Sequence, residues 1–247
     1  MQQRFCAITV TQTGHLAITD LYKSYLYIYK NGTELGHYSV PGFGTYSLND
    51  IAFNEKSGDI VIADNHWGKI HFYTTTGNCK ESISVPGKPQ GIAVSPKEEV
   101  FMTNKSKHCV FTYKKHPENT SSLQFGSEGA TPGKEFSSPQ SLAFSPDGLL
   151  CVADHNNERV QFFTDQGRFV KSLKMLEGHK PNYLTTTRDG HLLVSCTSKN
   201  TILIYNIRCE EPELVNQLEG CDSPHGVTVD KDYIIYVCNP YLGIQVF

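Results

Sequence analysis

One pattern recurs six times along this chain of 247 residues, and it restricts the fold more than any other feature. In each copy, a short strand-like run leads through a turn into a second, nearly all-apolar run. The copies are Phe5–Asp20, Leu48–Asp64, Pro89–Asn104, Pro139–Asp154, Pro181–Cys196 and Pro224–Asn239. One matching apolar residue anchors each copy: Ile8, Ile51, Ile92, Leu142, Leu184 and Val227, at spacings of 43, 41, 50, 42 and 43. A period of about 40–50 residues with several strands per unit predicts the blades of a β-propeller.

The fourth unit has the clearest strand pattern. Its turn, Ser145-Pro-Asp-Gly148, separates a short apolar run from Leu149–Ala153, and such a continuous apolar run suits a strand buried on both faces. Arg159–Phe163 then alternates with a period of two, and residues 168–173 supply an outer strand. No stretch sustains a helical period. We therefore predict an all-β, six-bladed β-propeller with about four antiparallel strands per blade, named a to d from the axis outward.

The repeats predict one domain over residues 1–247. We place the blades at approximately 5–40, 47–85, 89–126, 139–176, 181–219 and 224–247. The sixth unit stops after its third strand, and Met1–Arg4 are too short to supply a complete fourth strand. We expect a last blade that is incomplete or closed by N-terminal residues.

Composition favours a folded domain without membrane spans. Hydrophobic residues make up 38% and charged residues 19% of the chain, and no run of apolar residues is long enough to cross a bilayer. The eight cysteines include no C-x-x-C pair, so we expect reduced thiols and no structural zinc. The N-terminus lacks the apolar stretch of a signal peptide, which favours a cytoplasmic protein.

The fourth unit resembles the NHL repeat. The matching segments are Pro139 with the strand after it, Val152-Ala-Asp154, Asn157-Glu-Arg159 and Val160-Gln-Phe162, and units five and six depart from the pattern at Cys196 and Asn239. Without a metal centre, the resemblance implies the C-terminal domain of TRIM-NHL proteins. Such a domain recognises targets, while ubiquitin ligase activity resides in a RING domain outside this chain.

The strand order divides the loops between two faces. The b–c loops and d–a connections share one face, which we call the b–c face; the a–b and c–d turns share the other, which we call the a–b face. The b–c face carries more lysines than acidic residues, and the a–b face has the reverse balance. The predicted binding face contains Tyr46, Trp67, Lys69, Lys88, Lys105, Lys107, His108, Arg159, Lys180, Lys199, His225 and Tyr241.

Three aspartates stand at the ends of b strands, namely Asp20, Asp64 and Asp154. Because they recur at one place in several blades, we interpret them as structural caps that accept backbone N–H bonds in the b–c turn.

The channel residues argue against catalysis. Some NHL-like propellers are metal-dependent lyases, and lactonase-type propellers hold calcium with carboxylates. Here the position two residues before each anchor is filled by Cys6, Asn49, Gln90, Gln140, Asn182 and His225, a ring without carboxylates. No G-x-S-x-G or phosphate-binding glycine motif is present. We predict no catalytic residues, no metal and no cofactor, with a lyase or lactonase as the remaining alternative.

Two kinds of partner fit the predicted face. A protein target is one, with aromatic residues as interface anchors. Single-stranded or stem-loop RNA is the other, because aromatic residues stack on bases while lysines contact phosphates. The net charge of −3 gives no global attraction to nucleic acid, so the sequence leaves a protein partner and an RNA partner both open. We expect no small-molecule substrate.

Overall fold

The computed structural model describes residues 3–20, 22–41, 48–114 and 123–247, which form a six-bladed β-propeller. Blade 1 contains β1 (Phe5–Val10), β2 (Leu16–Asp20), β3 (Tyr25–Lys30) and β4 (Thr33–Ser39). Blade 2 contains β5 (Leu48–Asn54), β6 (Asp59–Asp64), β7 (Lys69–Tyr73) and β8 (Cys79–Ser84). Blade 3 contains β9 (Ile92–Val94), β10 (Val100–Asn104), β11 (Cys109–Tyr113) and β12 (Gln124–Phe125).

A parallel pair, β13 (Ser127–Glu128) and β14 (Glu135–Phe136), lies in the connection to the fourth blade. Blade 4 contains β15 (Pro139–Phe144), β16 (Leu150–Asp154), β17 (Arg159–Phe163) and β18 (Phe169–Lys174). Blade 5 contains β19 (Tyr183–Thr186), β20 (His191–Cys196), β21 (Thr201–Asn206) and β22 (Glu213–Leu218). Blade 6 contains β23 (Val227–Val229), β24 (Ile235–Asn239) and β25 (Gly243–Val246).

Helical structure among the described residues is limited to two short 3₁₀ turns, His155–Asn157 and Thr197–Lys199. Each follows the b strand of its blade. None of the helices in the described ranges has the length and apolar character needed to cross a membrane.

The cores lie between blades. Strand β6 is buried along its whole length, with Ile60 and Ile62 packed toward blade 1 and Val61 and Ala63 toward blade 3. Successive side chains of a strand point to opposite faces, so a strand between two neighbours needs apolar residues at every position. This explains the continuous apolar runs of the sequence repeat.

The inner strands close the ring. The a strand of each blade contacts that of the next, and β23 of the last blade contacts β1 of the first. The Gly226 N–H donates to the Cys6 carbonyl across that junction at 2.8 Å. The predicted six blades are confirmed, and within the described residues the sixth has three strands, as the sequence indicated.

Close approach of the inner strands demands very small residues. A Cβ atom added at Gly91 would lie 2.7 Å from Ser141 Cα and closer still to the Gln140 carbonyl oxygen. At Gly226 it would lie 2.7 Å from Ala7 Cα. Because the obstacles are backbone atoms, the neighbouring strand would have to move.

We predict that Gly91→Ala lowers the free energy of unfolding by about 1–3 kcal/mol, the usual cost of overpacking. Gly36→Ala is the control, because its added Cβ would meet only the Tyr38 side chain. Chemical denaturation of both variants provides the measurement. Equal stability of the two would contradict the role assigned to the inner strands.

Candidate functional site

The structure exposes six of the twelve predicted binding residues on the b–c face. The exposed ones are Trp67, Lys88, Lys105, Lys107, Lys199 and Tyr241, with 48% of Trp67 and 58% of Tyr241 accessible. Lys69, His108, Lys180 and His225 are half-buried, Arg159 is buried, and Tyr46 lies outside the described residues.

Blades 2 and 3 bring part of this set together. The Trp67 N–H donates to the Asp64 carboxylate at 3.0 Å, which fixes the loop that carries the indole. The Val85 N–H donates to the Gly68 carbonyl at 2.9 Å, so the connection leading to Lys88 lies along that loop. Gly87 in turn approaches the Asn104 side chain at the base of the next b–c loop. We call the exposed residues of these three segments, His66, Trp67, Lys88, Lys105 and Lys107, the Trp67 patch.

A second group of cations lies around His155, a residue that the sequence reading did not single out. Burial lowers the pKa of His155, the hydrogen bond to the Pro181 carbonyl opposes this, and the charges of Lys180 and Lys105 lower the pKa further. Both lysines therefore reach one region of the b–c face. Lys199 lies close by, with its side chain against the turn at Gly178.

Arg159 is a buried structural residue of blade 4 and is not part of the exposed b–c face. It is 7% exposed, and its Nε donates to Asp154 at 2.7 Å. Its terminal nitrogens donate to the carbonyls of Ala130 and Glu135 at 2.6 and 2.9 Å, which fastens the connection from blade 3. Gln161 donates to the same Asp154 oxygen at 3.0 Å.

The strand-end residues hold the b–c loops. Asp20 accepts the N–H groups of Tyr22 and Lys23 at 2.8 and 3.0 Å, and Asp64 accepts that of Trp67. Asp154 accepts the backbone N–H of Ser137 from the preceding connection at 2.6 Å, and from its own loop it accepts the side-chain amide of Asn157 at 2.9 Å. Where asparagine replaces aspartate, the side-chain amide oxygen accepts the N–H groups of the loop. Asn104 accepts the N–H of Lys107, and Asn239 accepts the N–H groups of Tyr241 and Leu242.

At the channel mouth on the b–c face, amide side chains form a chain. Asn49 Nδ2 donates to Gln90 Oε1 at 2.8 Å, and Gln90 Nε2 donates to Gln140 Oε1 at 3.1 Å. His225 stands in the same ring with its Nδ1 unpartnered among the described residues, and burial lowers its pKa.

The expectation of a channel without carboxylates needs a correction, because Asp50 lies at the axis. Strand β5 has a register shift between Leu48 and Asp50, so consecutive residues there do not alternate regularly. Asp50 is 6% exposed and accepts hydrogen bonds from the N–H groups of Ile51 and Ile92 and from Ser141 Oγ, at 2.8, 3.2 and 3.0 Å. Burial raises its pKa to about 7, against these hydrogen bonds.

Tyr183 crosses the axis at the same level. Its hydroxyl donates to the Asn49 carbonyl at 3.0 Å, joining blade 5 to the opposite blade 2. Cys6 Sγ lies 3.0 Å from that hydroxyl, and burial raises the pKa of both groups, to about 12 for the thiol. We call Cys6, Asn49, Asp50, Ser141 and Tyr183 the axial plug.

On the far side of the plug the channel widens into a cavity of about 550 Å³, which opens on the a–b face and is called the axial cavity below. Asp50, Ser141 and Tyr183 form its floor, and residues of the a–b turns such as Glu55 and Arg188 form its rim. The described residues contain no group of three or more His, Cys, Asp or Glu that could hold a metal ion.

The comparisons with known proteins agree with this architecture. A model of the NHL repeat matches residues 136–163, which contain the first three strands of blade 4 and the short segment before them. Over 131 residues the chain is 35% identical to peptidyl-glycine alpha-amidating monooxygenase A of Xenopus laevis. That match covers 47% of this chain and 14% of the Xenopus protein, so the chain spans a small part of that relative.

Solved structures share the fold over nearly the whole chain. A gluconolactonase of Xanthomonas campestris aligns with a TM-score of 0.78 at 13% identity, covering 100% of this chain and 86% of that one. Virginiamycin B lyase of Staphylococcus aureus aligns at 0.73 and 15% identity, covering 99% and 84%. A chain of a nidogen/laminin complex aligns at 0.74 and 15% identity, covering 92% and 84%. At such low identities these similarities establish the fold alone.

We predict that Arg159→Leu destabilises the protein by about 3–5 kcal/mol, because it leaves the Asp154 carboxylate buried without its ion pair. The control Lys107→Ala removes an exposed charge and should change stability by no more than about 0.5 kcal/mol. Urea denaturation measures both. A small effect of Arg159→Leu would argue against the structural role.

A second prediction concerns pH. The pKa of Asp50 is raised from its ordinary 3.8 to about 7, so the folded state holds its proton more tightly than the unfolded state. The Asp50 contribution to stability should therefore fall as pH rises from about 4 to about 7 and stay constant above. Relative to wild type, Asp50→Asn should gain stability across that range.

Denaturation midpoints at several pH values test this. Ser141→Ala keeps the carboxyl group and should keep a pH dependence, which extends to higher pH because a hydrogen bond that lowers the Asp50 pKa is lost. Parallel curves for wild type and Asp50→Asn would contradict the assignment.

Proposed function

We propose that this β-propeller, whose fourth blade carries an NHL repeat, is a recognition module that binds a protein partner through its b–c face. The observation that carries the proposal is the Trp67 patch, where a half-exposed indole stands among exposed lysines on loops held by hydrogen bonds. By the resemblance of this chain to TRIM-NHL proteins, the partner is a ubiquitination substrate or another protein, and any ligase activity resides in a RING domain outside this chain.

Rigid aromatic residues are efficient interface anchors because they bury much apolar area and lose little side-chain entropy. The loop of Trp67 is fixed by Asp64, and the neighbouring connection is fastened at Gly68, so little ordering is required on binding. The surrounding lysines favour an acidic partner surface and increase the rate of encounter.

One neighbour supports protein recognition by analogy of fold. A chain of a nidogen/laminin complex aligns with 92% of this chain, and that chain belongs to a complex of proteins. Fold similarity does not transfer a ligand, so the Trp67 patch remains the main support for a protein partner.

RNA is the second candidate, favoured by the cations around His155. The charges of Lys105 and Lys180 both act on that imidazole, so two cations from different loops lie close to His155. A phosphate backbone would be attracted there, and Trp67 could stack on an unpaired base.

A catalytic function has support only from relatives. The names of the Staphylococcus and Xanthomonas proteins specify a lyase and a gluconolactonase, and the Xenopus relative is a monooxygenase. Metal-dependent chemistry needs several converging ligands, and the described residues present no group of three. The proposal therefore assigns no catalytic residue.

We predict that Trp67→Ala weakens binding of the protein partner by about tenfold or more, which corresponds to at least ~1.4 kcal/mol. Phe169→Ala is the matched control, because Phe169 is 41% exposed but lies on an outer strand away from the b–c face. Quantitative mass spectrometry of proteins retained from RNase-treated extract identifies the partner, and titration with the purified partner gives the affinity. Retention unaffected by Trp67→Ala would refute the proposed surface.

Salt dependence separates RNA from protein. RNA binding should fall steeply between about 0.05 and 0.2 M salt, and Lys105→Glu with Lys107→Glu should abolish it. Lys56→Glu with Lys231→Glu on the a–b face is the control pair. The test is to incubate a random RNA pool with the purified domain at both salt concentrations and to sequence the RNA that is retained. No enrichment at low salt would eliminate RNA as the ligand.

A further inference from the structure

The axial cavity plays no part in the proposed recognition of a protein partner. It opens on the a–b face, and the axial plug separates it from the amide ring on the b–c face. Its volume of about 550 Å³ falls within the range of sites for small organic ligands.

The wall of the cavity is polar on one side and apolar on the other. The residues one position after the repeat anchors all line it, and they are Thr9, Ala52, Ala93, Ala143, Thr185 and Thr228. Threonines come from the adjacent blades 5, 6 and 1, and alanines from the adjacent blades 2, 3 and 4. The ring therefore presents hydroxyl groups along one half and methyl groups along the other.

Thr228 is the most informative member of the hydroxyl half. The residue is only 5% exposed, and its side chain lines the cavity. Within the described ranges its hydroxyl has no hydrogen-bond partner, in contrast to Thr186, which donates to the Phe144 carbonyl at 2.6 Å. A hydroxyl without a protein partner has unused capacity for a ligand.

The floor contributes a carboxyl group without a counter-charge. Asp50 takes part in none of the ion pairs of the described residues, although it is buried and its hydrogen-bond donors are neutral. A buried carboxylate is costly without a cation, which is the cause of its raised pKa. A positively charged group in the cavity would supply the missing charge.

The surroundings of the mouth favour the approach of a cation. The two cations of the rim are already paired: Arg188 with Glu55 across the channel at 4.0 Å, and Lys56 with Glu98 at 3.9 Å. Both pairs are exposed and therefore weak. A second depression continues from the rim between blades 6 and 1 and adds Asp230, Asp232 and Lys231, which lies 3.9 Å from Asp232.

We propose that the axial cavity binds a small organic amine whose ammonium group lies at Asp50. The polar edge of the amine contacts the threonine half of the ring, and its apolar edge contacts the alanine half. A metal ion fits this floor poorly, because Asp50 is a single carboxylate whose nearest partners are Ser141 and backbone N–H groups. The expectation of no small-molecule substrate took no account of Asp50, which is not a member of the ring at the opposite mouth.

Binding should depend on pH through one proton. The titratable groups facing Asp50 are the Cys6 thiol and the Tyr183 phenol, and both stay neutral because burial raises their pKa. The amine therefore exchanges only the Asp50 proton, and its affinity should fall about tenfold per unit as pH decreases below about 7.

The experiment uses matched pairs of probes at pH 8: phenethylamine with 2-phenylethanol, and cyclohexylamine with cyclohexanol. Isothermal titration of the whole chain should detect the amines and give at least tenfold weaker binding of the alcohols. Asp50→Asn should weaken the amines at least tenfold, and the control Phe169→Ala, on an outer strand that does not line the axial cavity, should leave the affinity unchanged.

Infrared spectroscopy of the wild-type protein tests the same contact without a substitution, in case Asp50→Asn fails to fold. At pH 6, adding the amine should remove the band of a protonated carboxyl group and add carboxylate absorption. Three results would overturn the proposal: no binding of either amine at millimolar concentration, equal binding of amine and alcohol, or an unchanged carboxyl band on saturation.

Discussion

The hydrogen bonds across the axis are the constraint on which the rest of this propeller depends. Tyr183 donates from blade 5 to the Asn49 carbonyl of blade 2, and Asp50 accepts from Ile92 of blade 3 and Ser141 of blade 4. Four blades are thus held at one level of the channel. Because inner strands approach this closely, positions such as Gly91 and Gly226 have no room for a side chain.

Within the described residues the ring closes at the inner strands, where β23 of blade 6 contacts β1 of blade 1. The Gly226 N–H bonds the Cys6 carbonyl, and a core cluster that includes Ile8, Ile18 and Cys238 fills the space between these blades. The b–c loops are then positioned by the strand-end residues, which act within each blade.

Much of this architecture could be predicted from the sequence, because the same strand pattern recurs once in each blade. The spacing of the anchors indicated six blades, and continuous apolar runs indicated strands buried on both faces. Arg159 was different: its charge predicted exposure, but its partners Ala130 and Glu135 come from a connection whose path the sequence does not reveal. His155 gave no signal, since the lysines that act on it come from other loops.

Asp50 shows most clearly why the site was harder to predict than the fold. Counting back from the repeat anchors assumes regular alternation, and the register shift in β5 breaks it, so the neighbouring residue also reaches the axis. The resulting carboxyl group lies at the floor of the cavity on one face and beneath the amide ring of the other. Coupling between the two faces would require an element with two arrangements. The plug is instead a single hydrogen-bonded arrangement fixed by five blades, so ligands on the two faces should bind independently of each other.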